Sequence, residues 1–460
     1  MAEIAENQPE LLARHCTEAG LIEKAAGLWG KAGQRSLERS ALVEAAEQLT
    51  RALAQLEALP STAELRREQI KLQVALANAL MHTKGHAASE TKAAAERAHL
   101  LIEQAEAVGE PPEDPLLLFS VLYGFWVANT VAFKGEVGRD LATQFLALAE
   151  QQRTTAPLMV GHRLMGASLL FLGDIAESRA HLDRAMRLYD PAEHRPLATR
   201  FGQDLRVVAL FWRSWALWLL GYPEAALSDA EYSLKDAREI GHAGSLMFSL
   251  ANTSVTQIFC GNYASQDTQS EELVALADKK ATLLWHAVGK MNKGSILALT
   301  GKASAAVQTI IAGITEWRQT GGTLLLPWYL SNLAIAYGEL GQFDDAWRSI
   351  GEAMTAVETT KETWCEADIL RIAGEIALLS PEHDAAKAEA YFERALAVAR
   401  AQQAKSWELR AAMSMARLWR DQGKRDAARA LLAPVYGWFT EGFDTLDLKE
   451  AKKLLDELAL

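Results

Sequence analysis

Apolar residues recur along nearly the whole chain at the spacing i, i+3, i+4, i+7, and no segment shows the strict alternation of a strand. This pattern predicts amphipathic helices from end to end. Glycine interrupts the pattern at a fixed interval of 40 residues, at Gly221, Gly261, Gly301 and Gly341. The next interval falls on Pro381, and Gly423 follows 42 residues later. Two helices per period of this length predict an all-α superhelical solenoid, in which each repeat packs on its neighbours.

Small residues flank the predicted turns and would let the two helices of a repeat lie close together. Seven positions before the turn, the small residues are Gly166, Ser214, Ser254, Gly294 and Ala334. The segment 326–357 shows the order of large, small and aromatic residues that is typical of a tetratricopeptide repeat. The residues that carry this order are Leu333, Ala334, Tyr337, Gly341, Ala346, Ile350 and Ala353. We therefore expect about ten tetratricopeptide-like helix pairs, wound into a right-handed superhelix.

The same signals divide the chain into three regions. We expect N-terminal helices in residues 1–58, the solenoid in residues 59–440 and a C-terminal capping helix in residues 441–460. Asp447 and Glu450 have capping-box spacing and are expected to open the last helix. Proline and glycine clusters are interpreted as loops between repeats, at 59–62, 109–115, 190–196 and 320–327.

Composition narrows the class of protein. The net charge is −12 and the basic residues are dispersed, which disfavours a nucleic-acid partner because phosphate binding needs a basic face. The sequence contains no run of 18 consecutive apolar residues, so it predicts no membrane-spanning helix. Its first ten residues do not resemble a secretory signal. Three widely spaced cysteines indicate a reducing compartment. We therefore expect a cytoplasmic protein that binds neither membrane nor nucleic acid.

The search for catalytic motifs predicts no catalytic residue, no metal and no cofactor in this chain. The string around Gly301 and Lys302 lacks both the first glycine of a phosphate-binding loop and the hydroxyl that would hold magnesium. His82 and His86 have the spacing of two metal ligands on one helix face, but Gly85 lies between them and no third ligand is near. We interpret them as turn and surface histidines.

Aromatic residues supply the candidate binding surface. The chain has 13 tryptophans, and three of them form a stripe at i, i+3, i+6 from Trp212. Packing between helices explains such a stripe. The second interpretation is that some of these rings line the concave groove as anchors for a partner, since aromatic and arginine side chains are frequent binding hot spots. The candidate groove residues are Arg206, Trp212, Arg213, Trp215, Trp218, Trp328 and Tyr329.

Three segments are distinctive as blocks: PELLARHCTEAGLIEKAAGLWGKAGQRSLERSALVEAAEQLTRAL from Pro9 to Leu53, YDPAEHRPLATRFGQD from Tyr189, and GKRDAARALLAPVYGWFTEGFDTLDLKEAKKLLDEL from Gly423. They resemble the C-terminal tetratricopeptide-like solenoid of bacterial multidomain proteins of the class III adenylate/guanylate cyclase type. In that family a cyclase domain and a signal-transducing ATPase domain precede the solenoid. The first segment resembles the junction that follows the ATPase module. The cyclase and ATPase motifs do not occur in this sequence, so no catalytic or nucleotide-binding residue of the family has a counterpart here.

The resemblance implies a regulatory sensor and protein-interaction module. We expect it to bind a protein partner or a small ligand in its concave groove and to gate a cyclase–ATPase unit, in the same chain or as a separate subunit. Ligand binding would shift the superhelix between two curvatures. The alternatives are a free-standing interaction scaffold, a cyclase in its own right, and a solenoid transcription regulator, for which the helix-turn-helix domain is missing.

Overall fold

A computed structural model describes residues 8–85, 88–110 and 114–459. The helices up to residue 201 are α1 (Pro9–Glu18), α2 (Ile22–Glu38), α3 (Leu42–Glu57), α4 (Ala63–Thr83), α5 (Ser89–Ala107), α6 (Leu116–Val131), α7 (Gly135–Gln152), α8 (Thr155–Phe171), α9 (Ile175–Leu188), α10 (Pro191–His194) and α11 (Ala198–Phe201). The later helices are α12 (Leu205–Leu219), α13 (Pro223–Ile240), α14 (Ala243–Phe259), α15 (Tyr263–Lys280), α16 (Leu283–Leu299), α17 (Ala303–Gln319), α18 (Leu326–Glu339), α19 (Phe343–Thr360), α20 (Glu366–Leu379), α21 (Ala385–Ala401), α22 (Lys405–Asp421), α23 (Arg425–Tyr436) and α24 (Leu446–Leu458).

Within these ranges the helices form ten successive pairs, with α1 before the first pair and α24 after the last. The pairs are α2–α3, α4–α5, α6–α7, α8–α9, α12–α13, α14–α15, α16–α17, α18–α19, α20–α21 and α22–α23. The first helix of each pair also packs on the first helix of the next, as α12 does on α14. First helices such as α12 are buried almost all round, whereas second helices such as α13 bury one face. The predicted solenoid of about ten helix pairs is therefore confirmed.

The small residues before the turns are where the two helices of a pair meet. A Cβ atom on Gly166 would lie 2.6 Å from Cγ of Leu182, and one on Gly294 would lie 2.4 Å from Cγ1 of Ile310. Both distances are shorter than carbon atoms in contact allow. A larger side chain at either position would push the paired helices apart, so the repeating small residue is a packing requirement.

Successive turns of the superhelix contact each other, with five helix pairs to a turn. The carbonyl of Val131, at the end of α6, accepts hydrogen bonds from the backbone N–H groups of Thr323 (2.9 Å) and Leu324 (3.0 Å), just before α18. One repeat later, the carbonyl of Phe171 accepts from Thr363 (3.0 Å) and Trp364 (3.3 Å), just before α20. The last carbonyls of a helix have no partner within it, so these donors from the next superhelical turn satisfy them.

The same junction continues toward the C-terminus. Ser406 Oγ donates to the carbonyl of Trp218, 188 residues earlier, at 2.5 Å. Arg410 Nη2 donates to the carbonyl of Phe259 at 2.9 Å. We call the four carbonyls of Val131, Phe171, Trp218 and Phe259, together with their donors, the inter-turn seam. At the seam, helix C-termini of one turn face helix N-termini of the next, which is also the favourable arrangement of helix dipoles.

Aromatic rings fill the space behind the seam. Trp215 lies 5.4 Å from Trp364 between ring centroids, and Trp218 lies 4.6 Å from Trp407. Phe259 packs against Trp218 at 4.4 Å in a stacked arrangement. These contacts join residues that are far apart in the sequence, so a single apolar core crosses from one turn of the superhelix to the next.

The segment 190–204 differs from the loop that the proline content predicts. It folds into α10, a 3₁₀ turn at Arg195–Leu197 and α11, and it lies against α4 and α6. Asn78 Nδ2 donates to the carbonyls of Thr199 and Arg200, and Arg200 forms an ion pair with Asp114. Asp190 caps α10 by accepting from the N–H of Ala192 at 2.9 Å. The prediction of a loop at 190–196 was wrong because this capped start and contacts with α4 stabilise helical turns around the prolines.

The capping-box prediction for the last helix was also wrong. Helix α24 begins at Leu446 after Thr445, whose hydroxyl donates to the carbonyl of Gly442 at 2.7 Å. Asp447 lies inside the helix and pairs with Arg410 at 2.7 Å. Its carboxylate therefore holds α24 to α22 and to the seam instead of capping the helix.

Candidate functional site inside the superhelix

Closure at the seam leaves a cavity of about 80 Å³ between the two turns. First helices from both turns line it, α6 and α8 from one and α18 from the other, with α12, α14 and α16 between them. Seven of the 18 residues that line it are aromatic: Tyr123, Trp126, Trp212, Phe248, Trp285, Trp317 and Tyr329. The cavity thus lies where the curvature of the solenoid brings six of its inner helices together.

Arg163 of α8 is the one charged residue in the cavity wall. The residue is 2% exposed, and its guanidinium carbon lies 5.1 Å from the centre of the Tyr123 ring. Across the described ranges it forms no ion pair with a carboxylate, and its Nε has no hydrogen-bond partner. Burying a charge without a counter-ion is unfavourable, so Arg163 is a buried cation in the cavity wall that lacks its usual partner.

Polar groups near Arg163 are held by their neighbours. Tyr123 donates its hydroxyl to Oε1 of Gln203 at 3.4 Å, which ties the end of the 190–204 segment to α6. Tyr329 donates its hydroxyl to Oδ1 of Asn292 at 2.7 Å, and burial raises the pKa of this phenol well above its usual range. Tyr329 is therefore neutral and fixed in place at physiological pH.

Glu362 supports the loop that leads into α18. It is 1% exposed, and its Oε1 accepts from the N–H of Leu325 at 2.9 Å and from Nε1 of Trp364 at 3.0 Å. Leu325 has a left-handed backbone (φ 66°), which is unfavourable for a side chain other than glycine, and it lines the cavity. Burial raises the pKa of Glu362 to about 8. The carboxyl group of Glu362 thus connects Trp364, a donor at the Phe171 contact of the seam, to Leu325 in the cavity wall.

The two arginines among the candidate groove residues are engaged by carboxylates of their own chain. Arg213 binds Asp229 with Nε at 2.6 Å and Nη2 at 2.8 Å, and it reaches Asp183 at 3.1 Å. Arg206 pairs with Asp236 at 3.3 Å. Both arginines therefore hold α12 to its neighbouring second helices and lie outside the cavity lining.

The five aromatic candidates divide into two groups. Trp212 and Tyr329 line the cavity. Trp215, Trp218 and Trp328 are almost fully buried in the aromatic core behind the seam. The tryptophan stripe of α12 therefore contains both core residues and a residue of the cavity wall. Ligand binding by these residues stays a prediction.

Arg163 was missed by the sequence reasoning, although the repeat contains a signal for it. It stands three positions before the small residue Gly166. The residues at the same register in the later repeats are Phe211, Ala251, Met291, Ser331, Arg371 and Met413. An arginine at a mostly apolar or small position is a candidate for function. Arg371 is paired with Asp368 and Glu375, however, so the register alone does not single out Arg163.

The metal hypothesis finds no support in the described ranges, where no three side chains of histidine, cysteine, aspartate or glutamate come together. His82 is buried beside Gly202, and burial together with His242 lowers its pKa to about 4. His86 lies outside the described residues. Within those same ranges, no helix has both the length and the apolar character needed to span a membrane.

Comparison with known proteins agrees with the repeat architecture. No protein-family model matches the chain. An uncharacterized protein of Rhizobium meliloti (strain 1021) is 25% identical over 370 residues, which are 78% of this chain and 34% of the relative. The chain therefore spans about a third of the length of the curated relative it matches.

Two solved structures share the fold. A Rap protein complexed with Competence and Sporulation Factor aligns with a TM-score of 0.58 at 13% identity, over 83% of this chain and 99% of that chain. The Cut9–Hcn1 hetero-tetramer of the APC/C aligns with a TM-score of 0.52 at 13% identity, over 95% of this chain and 77% of that chain. The chain is a tetratricopeptide-like superhelical solenoid.

Proposed function

We propose that this chain is the sensor and protein-interaction arm of a larger signalling protein, and that it responds to a ligand or partner through its closed interior. The observation that carries the proposal is the seam, which joins two superhelical turns beside a cavity with an unpaired cation. An occupant of this cavity would contact helices of both turns. Its binding energy would therefore depend on how the turns are placed.

The proposed mechanism is a shift between a closed and an open seam. Val131 and Phe171 are held to the next turn by backbone hydrogen bonds, and Thr323 and Leu324 share one carbonyl whereas Thr363 and Trp364 share the other. Each shared pair would be lost in one step when the turns separate. A ligand shifts such an equilibrium only by its difference in affinity for the two states. The cavity provides that difference, since its wall is complete only when the seam is closed.

The candidate groove residues enter the proposal in different roles. Trp212 and Tyr329 would contact an occupant. Trp215, Trp218 and Trp328 would report on the seam, because their packing depends on its closure. A Rap protein of this fold, which was solved complexed with Competence and Sporulation Factor, supports a ligand-responsive solenoid as the functional class.

The proposed context is a cyclase–ATPase signalling protein, with this chain acting in cis or as a separate subunit. The resemblance of the three distinctive segments supports this context. The curated relative supports the idea of a larger assembly, since the aligned region is 34% of its length. In the second candidate function, a free-standing scaffold, the same interior would serve unrelated complexes.

Capture of partners tests the signalling context. The 460-residue chain is used as bait in an extract of its source organism, and bound proteins are identified by mass spectrometry. We expect an ATPase or a nucleotide cyclase among them. Reproducible recovery of chaperones or unrelated complexes without nucleotide-handling proteins would instead favour the free-standing scaffold.

A distance measurement tests the switch itself. Asp174 and Gln403 are exposed next to Gly173 and Gln402, which face each other across the seam. The three native cysteines are buried, so a thiol-specific spin label should react selectively with the cysteines introduced by Asp174→Cys and Gln403→Cys. We expect a captured partner to change this distance while a control pair within one turn, Lys134→Cys with Asp174→Cys, stays constant. An unchanged distance across the seam would contradict the switch.

A further inference from the structure

The cavity itself indicates what kind of ligand it would hold, and this inference rests on the proposed function. We propose that the cavity beside Arg163 binds a small monocarboxylate with a short apolar tail, whose carboxylate pairs with the buried guanidinium. Charge, wall chemistry and size support this assignment independently.

The charge argument starts from the missing counter-ion. Arg163 is 2% exposed, and the residues that line the cavity include no aspartate or glutamate. A guanidinium keeps its charge in proteins, so it cannot relieve its burial by losing a proton. An anion from outside would supply the partner that the described residues do not provide. A carboxylate matches the planar fork of arginine, with two parallel N–H···O bonds.

One further polar group in the wall can donate a hydrogen bond to such an anion. Gln203 accepts from Tyr123 through Oε1, which leaves its Nε2 group as a donor. This amide is neutral, so it adds hydrogen-bonding capacity without a second charge. The site is therefore suited to a single negative charge.

The rest of the wall selects an apolar tail. Trp126, Trp285, Val288 and Met291 line the cavity with rings and hydrocarbon, and they come from helices on either side of it. Binding an apolar group there removes it from water without desolvating further polar groups of the protein. An inorganic anion would meet Arg163 but would leave this part of the wall without a partner.

The volume limits the ligand to a few non-hydrogen atoms. One water molecule needs about 10–15 Å³ of accessible cavity volume, so a cavity of about 80 Å³ has room for about five to eight atoms of that size. Acetate, propionate and butyrate fall in this size range, whereas a peptide or a nucleotide does not. The affinity of so small a ligand is bounded by its atom count, so we expect a Kd of about 0.1–1 mM for the best member of the series.

Titration with the carboxylate series tests the site. The tryptophans in the wall provide a fluorescence signal, and calorimetry provides the stoichiometry. We expect saturable binding of one propionate or butyrate per chain, and binding at least tenfold weaker for propionamide, which has the same shape without the charge. Inorganic phosphate is the probe for an anion without a tail and is expected to bind more weakly than propionate.

Two variants locate the binding. Arg163→Met should reduce propionate affinity at least tenfold while the chain stays folded, because replacing an unpaired buried charge by an apolar side chain does not destabilise a core. Val288→Phe leaves the arginine intact but fills the cavity, and it should also abolish binding. Arg206→Gln is the matched control, since Arg206 lies on the next first helix outside the cavity lining, and its propionate affinity should equal that of the wild type.

The outcomes separate this inference from the proposed function. Absence of binding by every carboxylate up to 50 mM, equal binding of propionamide or phosphate, or unchanged affinity in Arg163→Met would each overturn the ligand assignment. Such results would leave a seam switch driven by another partner intact. If propionate binds at Arg163 but leaves the distance between labels at 174 and 403 unchanged, the ligand assignment holds and the proposed switch fails.

Discussion

At the scale of single residues, Glu362 makes the stability of the chain depend on pH. Its pKa is raised to about 8 by burial, whereas a carboxyl group in the unfolded chain titrates near its ordinary value of 4.5. Between these values the folded state holds a proton that the unfolded state has released. The contribution of Glu362 is therefore fully present below about pH 4.5 and is lost as the pH rises toward 8.

We predict that Glu362→Gln stabilises the chain at pH 8 and has little effect at pH 5. One pKa unit corresponds to about 1.4 kcal/mol, so the difference in free energy of unfolding between variant and wild type should grow by about 3 kcal/mol over this range. Urea denaturation at several pH values measures it. His82, His162 and His242, whose pKa values are lowered to about 4, contribute equally to both proteins and cancel in the difference. The exposed Glu382→Gln serves as the control, and an equal pH trend in both variants would contradict the assignment to Glu362.

At the scale of the helical element, glycines that look equivalent in the sequence have different surroundings. Gly221 and Gly301 both end a first helix with a positive φ, 87° and 73°. A Cβ on Gly221 would lie 2.6 Å from the Trp438 ring and 2.9 Å from Cβ of Lys405, whereas a Cβ on Gly301 would meet nothing within 4 Å. The loop at Gly221 therefore packs against the next turn of the superhelix, whereas the loop at Gly301 faces open space.

We predict that Gly221→Ala destabilises the chain more than Gly301→Ala. The left-handed conformation alone costs about 1–2 kcal/mol for alanine, and both variants carry this cost. Overpacking against Trp438 adds about 1–3 kcal/mol in Gly221→Ala. Midpoints of urea unfolding measure the difference. The pair Gly261 and Gly341 repeats the experiment, because a Cβ on Gly261 would lie 2.5 Å from Leu446 and one on Gly341 would be free. Equal losses within both pairs would show that the inter-turn contacts do not matter energetically.

At the scale of the whole molecule, the sequence predicts the contacts between neighbouring helices but not the contacts between successive turns of the superhelix. The 40-residue glycine interval and the small residues at Gly166 and Gly294 report contacts within a repeat, and these predictions are confirmed. The seam is made largely by backbone carbonyls such as that of Val131, which carry no signature in the side chains. Periodicity therefore predicts the solenoid but not the number of pairs per turn, and without that number the cavity at Arg163 cannot be located.

The seam also changes how the molecule should unfold. In an open solenoid each repeat contacts only its neighbours, so stability is a sum of local terms and unfolding can proceed repeat by repeat. Here Trp407 is 1% exposed, its ring lies 4.6 Å from that of Trp218, and its Nε1 donates to the carbonyl of Trp364 at 2.9 Å. Such contacts couple the first turn to the second. We expect the wild type to unfold in one transition, with the same midpoint by tryptophan fluorescence and by far-UV circular dichroism.

We predict that Trp407→Ala separates the transitions. Removing the ring costs about 3–5 kcal/mol through the cavity it leaves, and it also breaks the link between turns. The C-terminal pairs should then unfold at lower urea concentration than the pairs before them, so the two optical signals should no longer coincide. Trp347→Ala is the control, because Trp347 packs on Tyr391 (6.0 Å) and Lys387 (3.8 Å) between neighbouring second helices of one turn. That variant should lower the midpoint and keep a single transition. A single transition in Trp407→Ala, as steep as in the wild type, would mean that the seam is not what makes the two turns one cooperative unit.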